Sequence, residues 1–278
     1  MSLRMPEILG IVNITADSFS DGGNFLDTDK AIAHAETLLQ DGADILDLGA
    51  AASNPHAEHV SAEVEIERLA PVVAHLRAKN ARISIDTTKP EVQRWALGQG
   101  VEFLNDIRGF SQPSLYPQLV RSSAKLIVMH SISDLDKAVR QHKEPQEVFD
   151  SIRSFFTTSL AVLRAAGIAN ERLIIDPGMG FFLASNPEPS LAVLAALPQL
   201  QAEFASPVCV GISRKSFLKN IGEPETCDIS TRTLAAELFA AQSGAAYIRT
   251  HDVRALHEGL LTLAAISTMI ESAHYRSN

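Results

Sequence analysis

The sequence predicts an α/β fold, a single (β/α)8 TIM barrel. Eight short apolar runs recur along the chain, stretches with helical signals separate most of them, and the 278 residues match the roughly 250 typical of one such barrel. Alternating strand and helix implies a parallel sheet, and eight such units close on themselves. The runs are Ile8–Val12 before Asn13, Ile45–Leu48 before Gly49, Arg82–Ile85 before Asp86, and Phe103–Leu104 before Asn105. Leu126–Met129 before His130, Leu173–Ile175 before Asp176, Val208–Ile212 before Ser213-Arg214-Lys215, and Tyr247–Ile248 before Arg249-Thr250-His251 complete the set. Nearly every run ends in a polar residue, and the C-terminal ends of barrel strands form the active face.

The helices follow from caps and periodicity. Asp27 or Thr28 can cap a helix through Ala31, Ile32, Ala35, Leu38 and Leu39, which Gly42 ends. Ser61 can cap the next, with Glu63 and Glu65 in its first turn, where acids suit the helix dipole. Pro90 and Pro145 open helices running toward Gly98 and Gly167, and Pro187 to Pro189 open one through Leu191, Leu194 and Leu197. The last two helices are expected near Ser230–Gln242 and Ala255–Ile270. Three long loops, 15–27, 50–60 and 131–143, are expected to act as substrate lids.

No linker-like stretch divides the chain, so residues 1–278 read as one domain, with 1–6 as a flexible extension. At 46% hydrophobic and 21% charged it is an ordinary globular composition. A formal net charge of −9 argues against a nucleic-acid or membrane-surface partner but allows an anionic small substrate. Cys209 lies in an apolar run and Cys227 lacks a metal-ligand spacing to it, so neither a disulfide framework nor a zinc site is expected. The first residues lack the apolar core of a signal peptide, and no membrane-spanning stretch stands out, so a cytoplasmic location is expected.

Asp86, Asn105 and Asp176 end three runs, so their side chains converge on one pocket. Two carboxylates and an amide suit a flat heterocycle that offers donors and acceptors. Each residue alone could instead cap a following helix. Ser213-Arg214-Lys215-Ser216 and Arg249-Thr250-His251 follow strands seven and eight, where many barrels bind phosphate. Arg, Lys and His near helix N-termini make an anion cradle. Arg249 could also form a structural ion pair across the barrel mouth, and Lys215 could donate to a heterocycle carbonyl. Asn13 offers an amide oxygen suited to Mg²⁺, or simply a turn. His56 and His59 make a poor metal pair. Phe181-Phe182-Leu183 could wall the pocket or pack beneath a loop.

Six segments, in order, resemble dihydropteroate synthase: Ile11-Val-Asn-Ile-Thr-Ala-Asp-Ser-Phe-Ser-Asp-Gly22, Ser84-Ile-Asp-Thr-Thr-Lys-Pro-Glu91, Asn105-Asp-Ile107, Asp176-Pro-Gly-Met-Gly-Phe181, Ser213-Arg-Lys-Ser216 and Arg249-Thr-His251. The resemblance implies joining 6-hydroxymethyl-dihydropterin pyrophosphate to p-aminobenzoate. Asp86, Asn105, Asp176 and Lys215 would hold the pterin. Arg249, His251 and Asn13 with Mg²⁺ would hold the pyrophosphate, making Lys215, Arg249 and His251 the catalytic set. Ser216 would meet the p-aminobenzoate carboxylate, with Ser53, Met129, Gly211, Phe181 and Phe182 completing the substrate-binding residues. A homodimer is implied by the same resemblance.

Two departures resemble the mobile, sulfonamide-resistant branch. Where the family usually carries Glu-Ser-Thr-Arg-Pro-Gly, this chain has Ala51-Ala-Ser-Asn-Pro-His56, and Gly-Phe-Gly-Lys becomes Gly180-Phe-Phe-Leu183. The run Met129-His130-Ser131 fits the same branch. Rival readings are a pterin-binding methyltransferase domain, which has no use for the anion cradle, and a non-catalytic pterin-binding module.

Overall fold

A computed structural model describes residues 4–14, 28–51, 60–132, 141–223 and 227–275. Eight parallel strands run β1 Glu7–Asn13, β2 Ile45–Gly49, β3 Ile83–Asp86, β4 Phe103–Asp106, β5 Lys125–Met129, β6 Leu173–Asp176, β7 Cys209–Gly211 and β8 Tyr247–Thr250. They are hydrogen-bonded in the order β6-β5-β4-β3-β2-β1-β8-β7. A bridge from Ile175 to Val208 links β6 to β7 and closes the barrel. The helices are α1 Thr28–Gln40, α2 Ala62–Ala78, α3 Pro90–Gly98, α4 Tyr116–Arg121, α5 Pro145–Ala165, α6 Glu188–Ala195, α7 Leu197–Phe204, α8 Ser216–Lys219, α9 Ile229–Gln242 and α10 Val253–Tyr275.

The capping expectations fare unevenly. Ser61 does cap α2, its hydroxyl accepting from the Val64 N–H at 3.4 Å. Pro90 and Pro145 occupy the first turns of α3 and α5. The helix expected from Pro187 through Leu197 is two helices, α6 and α7, meeting at Ala196. Pro198 explains the break, because its missing N–H cannot continue the α6 ladder but suits the first turn of α7. Helix α9 starts at Ile229, one residue before the expected Ser230, and is capped by Asp228, whose side chain accepts from the Ser230 and Thr231 N–H groups. Helix α10 over Val253–Ile270 is long and apolar enough to cross a membrane by length and composition, a feature the sequence reading passed over. Its Val253, Leu256 and Leu260 are buried in the core, while Leu261, Ile266 and Met269 are exposed.

Strand side chains alternate between the helical shell and the barrel interior. Outward Val12, Leu48, Ile85, Leu104, Val128 and Ile175 pack with α-helical Leu69, Val72, Phe156 and Leu160 in one continuous core. Each such fully buried side chain contributes roughly 1.5–3 kcal/mol. Inward Leu9, Ile45, Phe103, Ile127, Ile174, Cys209 and Tyr247 form a second cluster from seven strands. Two residues beyond the last six of these, on the same face, come Asp47, Asn105, Met129, Asp176, Gly211 and Arg249, and β3 adds Asp86 two residues beyond buried Ser84. The pleat therefore sets a polar layer directly on an apolar floor.

Candidate active site

Arg249 dominates that polar layer. Its Nε donates to Asp47 Oδ2 at 2.9 Å, and its Nη2 reaches both Asp47 and Asp86 Oδ2, the latter at 2.7 Å. The ion pair across the mouth is thus present. Burial opposes the charge, but the carboxylates of Asp47 and Asp86 outweigh it and hold Arg249 firmly protonated. Gly211 lies beside the guanidinium: a Cβ on it would be in ordinary contact with Arg249 Nη1, at 3.7 Å.

Burial pushes Asp86 up to about 6, against the pull of Arg249 and with a contribution from Asp47. Burial also raises Asp176, whose Oδ1 accepts from Gly178 N–H at 2.8 Å. That bond makes Asp176 a turn residue as well as a pocket carboxylate. Asn105 is fully buried on β4, and neither its Oδ1 nor its Nδ2 has a hydrogen-bond partner. An orphaned buried amide costs about 1–3 kcal/mol, so it is built to meet a group the protein does not supply. Neither Asp86 nor Asn105 caps a helix.

Lys215 enters from the loop after β7. Burial and the nearby Arg249 bring its ammonium down to about 8, with Asp176 and Asp86 opposing that fall. Its Nζ sits 4.6 Å from the centroid of the Phe182 ring. Phe182 is buried with Ile107 and Met129, and half-buried Phe181 packs against this group. Phe182 therefore packs beneath the lysine with 6% of its surface exposed. Gly180 opens this turn at φ 64°, a left-handed conformation that favours glycine, with Lys215 and Ser216 beside it. Ser216 opens the short helix α8.

His251 follows β8, and its backbone N–H and Nδ1 both engage Ser213 Oγ, at 3.2 and 3.0 Å. Burial, then the charges of Arg214, Arg249 and Lys215, lower it to about 4, so the ring is neutral near pH 7. Asn13 is exposed at the end of β1, its Oδ1 3.9 Å from where a Gly49 Cβ would lie. Among the described residues no cluster of His, Cys, Asp and Glu could hold a metal by itself. One exposed amide oxygen suits an ion that keeps most of its ligands from substrate phosphate and water. Ser53, Asn54, His56 and His59 lie outside the described residues, as does most of the first loop.

The sequence reading did not single out Asp47 or Glu237, and gave Asp106 and His130 no role beyond their motifs. Asp47 was absorbed into the apolar run Ile45–Leu48; a lone charge inside a parallel strand was the available signal. Asp106, beside Asn105, accepts from Gln93 Nε2 at 2.9 Å and from the N–H groups of Arg108 and Phe110, fixing the loop after β4. Burial holds it at about 6. Glu237 on α9 is buried behind β8, bonded to Thr250, with one orphaned oxygen and a carboxyl that burial raises to about 8. His130, lowered by burial to about 4, spans from Pro177 O at 3.1 Å to Ser151 Oγ at 2.9 Å, pinning the turn that carries Asp176.

Residues 9–251 match the model of a family described as pterin binding enzymes. The type-3 dihydropteroate synthase of Escherichia coli is 50% identical over 256 residues, covering 92% of this chain and 97% of that one. The type-2 enzyme of Escherichia coli is 51% identical over 259 residues, covering 93% and 95%. A dihydropteroate synthase from Xanthomonas albilineans, solved with 4-aminobenzoic acid, superposes with a TM-score of 0.84 at 34% identity over 96% of this chain and 94% of that one. With the family model matched from Leu9 to His251 and half of the residues shared with two of these enzymes, the chain belongs to the dihydropteroate synthases, transferases of the pterin-binding family.

Proposed function

We propose that the protein condenses 6-hydroxymethyl-7,8-dihydropterin pyrophosphate with p-aminobenzoate, releasing pyrophosphate and 7,8-dihydropteroate, and that it does so in the presence of sulfonamides. The observation that carries the reading is the orphaned amide of Asn105 between the strands of Asp86 and Asp176. A pterin edge offers adjacent donors and acceptors. Asp176 accepts its N–H groups, Asn105 donates and accepts, and Lys215 donates to the ring carbonyl.

The methylene–oxygen bond breaks with its electron pair going to pyrophosphate. Arg249 and neutral His251 donate to the growing charge on that oxygen, which is worth more in a buried site than in water. The pterin shares the positive charge left on the methylene carbon. The aniline nitrogen then attacks and loses its proton, with Ser216 holding the carboxylate at the other end. Arg249 needs no reorientation, because Asp47 already fixes it. Mg²⁺ bound through Asn13 would supply further charge neutralisation on the pyrophosphate. The cradle of Arg249, His251 and Lys215 has no purpose in a methyltransferase or a non-catalytic module.

The sulfonamide reading rests on Phe181-Phe182-Leu183 and the altered second loop. A drug that extends past the p-aminobenzoate outline needs space that this bulk removes, so discrimination comes from a clash. A cytoplasmic homodimer is part of the same proposal. Phe239 on α9 and Leu261 and Ile266 on α10 are 47%, 48% and 52% exposed on neighbouring helices, an apolar face that a second copy would cover. Complementation of a strain lacking the synthase tests the whole reading. Growth without added folate products, with and without sulfonamide, is expected; failure to grow in either condition contradicts it.

A further inference from the structure

The ammonium of Lys215 sits in a buried place with a cation, Arg249 on β8, among its neighbours and the carboxylates Asp176 on β6 and Asp86 on β3 opposing it. Those carboxylates are already engaged: Asp86 with Arg249, and Asp176 Oδ1 with the Gly178 N–H. What lies directly against the ammonium is an aromatic face, the Phe182 ring, 4.6 Å from Nζ to the centroid. The face of such a ring is negative and attracts a desolvated cation.

Two backbone bonds anchor the turn that carries Phe182, and two side chains pack against the ring. The Phe182 carbonyl accepts from Ile132 N–H at 2.9 Å, tying it to the loop after β5. Gly180 N–H donates to Ser190 Oγ at 3.0 Å, fixing the start of the turn to α6. Ile107 and Met129 pack beside the ring and leave it 6% exposed. The backbone of the turn is thus anchored to the loop after β5 and to α6, the ring packs on Ile107 and Met129, and its face meets Lys215.

We infer that Phe182 is a positioning residue for catalysis: its ring face holds the Lys215 ammonium where it can donate to the pterin, and the loop after β5 anchors the turn that carries the ring. The inference rests on the reading of Lys215 as a pterin ligand and adds to it the residue that sets the lysine.

The test replaces Phe182 with 4-fluoro-, 3,5-difluoro- and 3,4,5-trifluorophenylalanine, which keep the shape and drain the negative face. Binding of pterin pyrophosphate is measured by calorimetry across pH, beside Phe182→Leu and Lys215→Ala. Affinity is expected to fall stepwise with fluorination, and Phe182→Leu to bind about three- to tenfold more weakly at pH 7. The alkaline limit of binding is expected to move to lower pH in the same order, because the ammonium loses a stabilising neighbour. Equal affinity and an unmoved alkaline limit across the fluorinated series, with Lys215→Ala weakened, overturn the role of Phe182 alone. Unweakened binding by Lys215→Ala overturns the pterin reading of the lysine and this inference with it.

Discussion

Arg249 on β8 grips Asp47 on β2 across the intervening strand β1, with Nε and Nη2 both on Asp47 Oδ2. Two residues 202 positions apart in sequence are thereby one unit of the barrel mouth. Asp47 is 1% exposed and its Oδ1 has no partner, so the pair is desolvated. Removing one side of such a pair strands the other charge. Asp47→Ala is expected to destabilise the fold by about 3–5 kcal/mol, and Asp47→Asn by less. Urea unfolding checks this; a loss below about 1 kcal/mol for Asp47→Ala would mean that the pair is not structural.

Arg249 also has the transition-state role. Arg249→Lys keeps a charge near Asp47 and Asp86 but loses the planar fork. Turnover is expected to drop more than affinity for pterin lacking pyrophosphate, because the oxygen charge grows only as the bond breaks. Calorimetry with and without the pyrophosphate, set beside kcat, separates the two. An equal loss in all three contradicts the role.

Asp176→Asn retains shape and replaces a charged acceptor with an amide. The lost charge-assisted bond is worth roughly 1.5–3 kcal/mol, or about one to two orders of magnitude in pterin-pyrophosphate affinity. Gly178 N–H can still find an amide oxygen, so the turn survives. Unchanged binding would place Asp176 outside the pocket contacts.

The pH dependence follows from two buried groups. Asp86, raised to about 6, must be ionised to serve as an acceptor and as the partner of Arg249. Lys215, lowered to about 8, must keep its proton. Pterin affinity is expected to peak between those values and fall on both sides. Glu237 acts on stability instead. Its carboxyl is raised from 4.5 to about 8, so it favours the fold below its ordinary pKa, and that stabilisation fades as pH climbs toward 8. Glu237→Gln should flatten the decline of Tm between pH 6 and pH 8; parallel curves for variant and wild type would refute this.

Phe182→Gly is expected to restore inhibition by sulfamethoxazole while p-aminobenzoate turnover survives at saturating pterin pyrophosphate. Tm should fall, since a buried aromatic is lost. Continued insensitivity of a folded Phe182→Gly enzyme would move the discriminating wall to Phe181 or to the second loop.

The barrel was legible because each inward strand position obeys the same alternation, and polar endings such as Asp86 and Asp176 interrupt apolar runs visibly. Asp47 was not, because one acid flanked by Leu46 and Leu48 reads as strand interior until its partner is known. The split between α6 and α7 was hidden by continuous apolar spacing from Leu191 to Leu197, which runs across Ala196 up to Pro198. Phe182 was legible as bulk but not as a neighbour of Lys215, because contacts between separate loops carry no sequence period. Ser213 was visible in its motif, yet its grip on His251 depends on the closeness of β7 and β8.

The most direct measurement is product formation by the purified enzyme from pterin pyrophosphate and p-aminobenzoate, following 7,8-dihydropteroate and released pyrophosphate together, with and without sulfamethoxazole. The account predicts one pyrophosphate per dihydropteroate and a rate barely changed by the drug at matched p-aminobenzoate. Pterin binding without release of pyrophosphate would contradict the synthase reading, and drug inhibition as strong as that of an ordinary synthase would contradict the insensitivity.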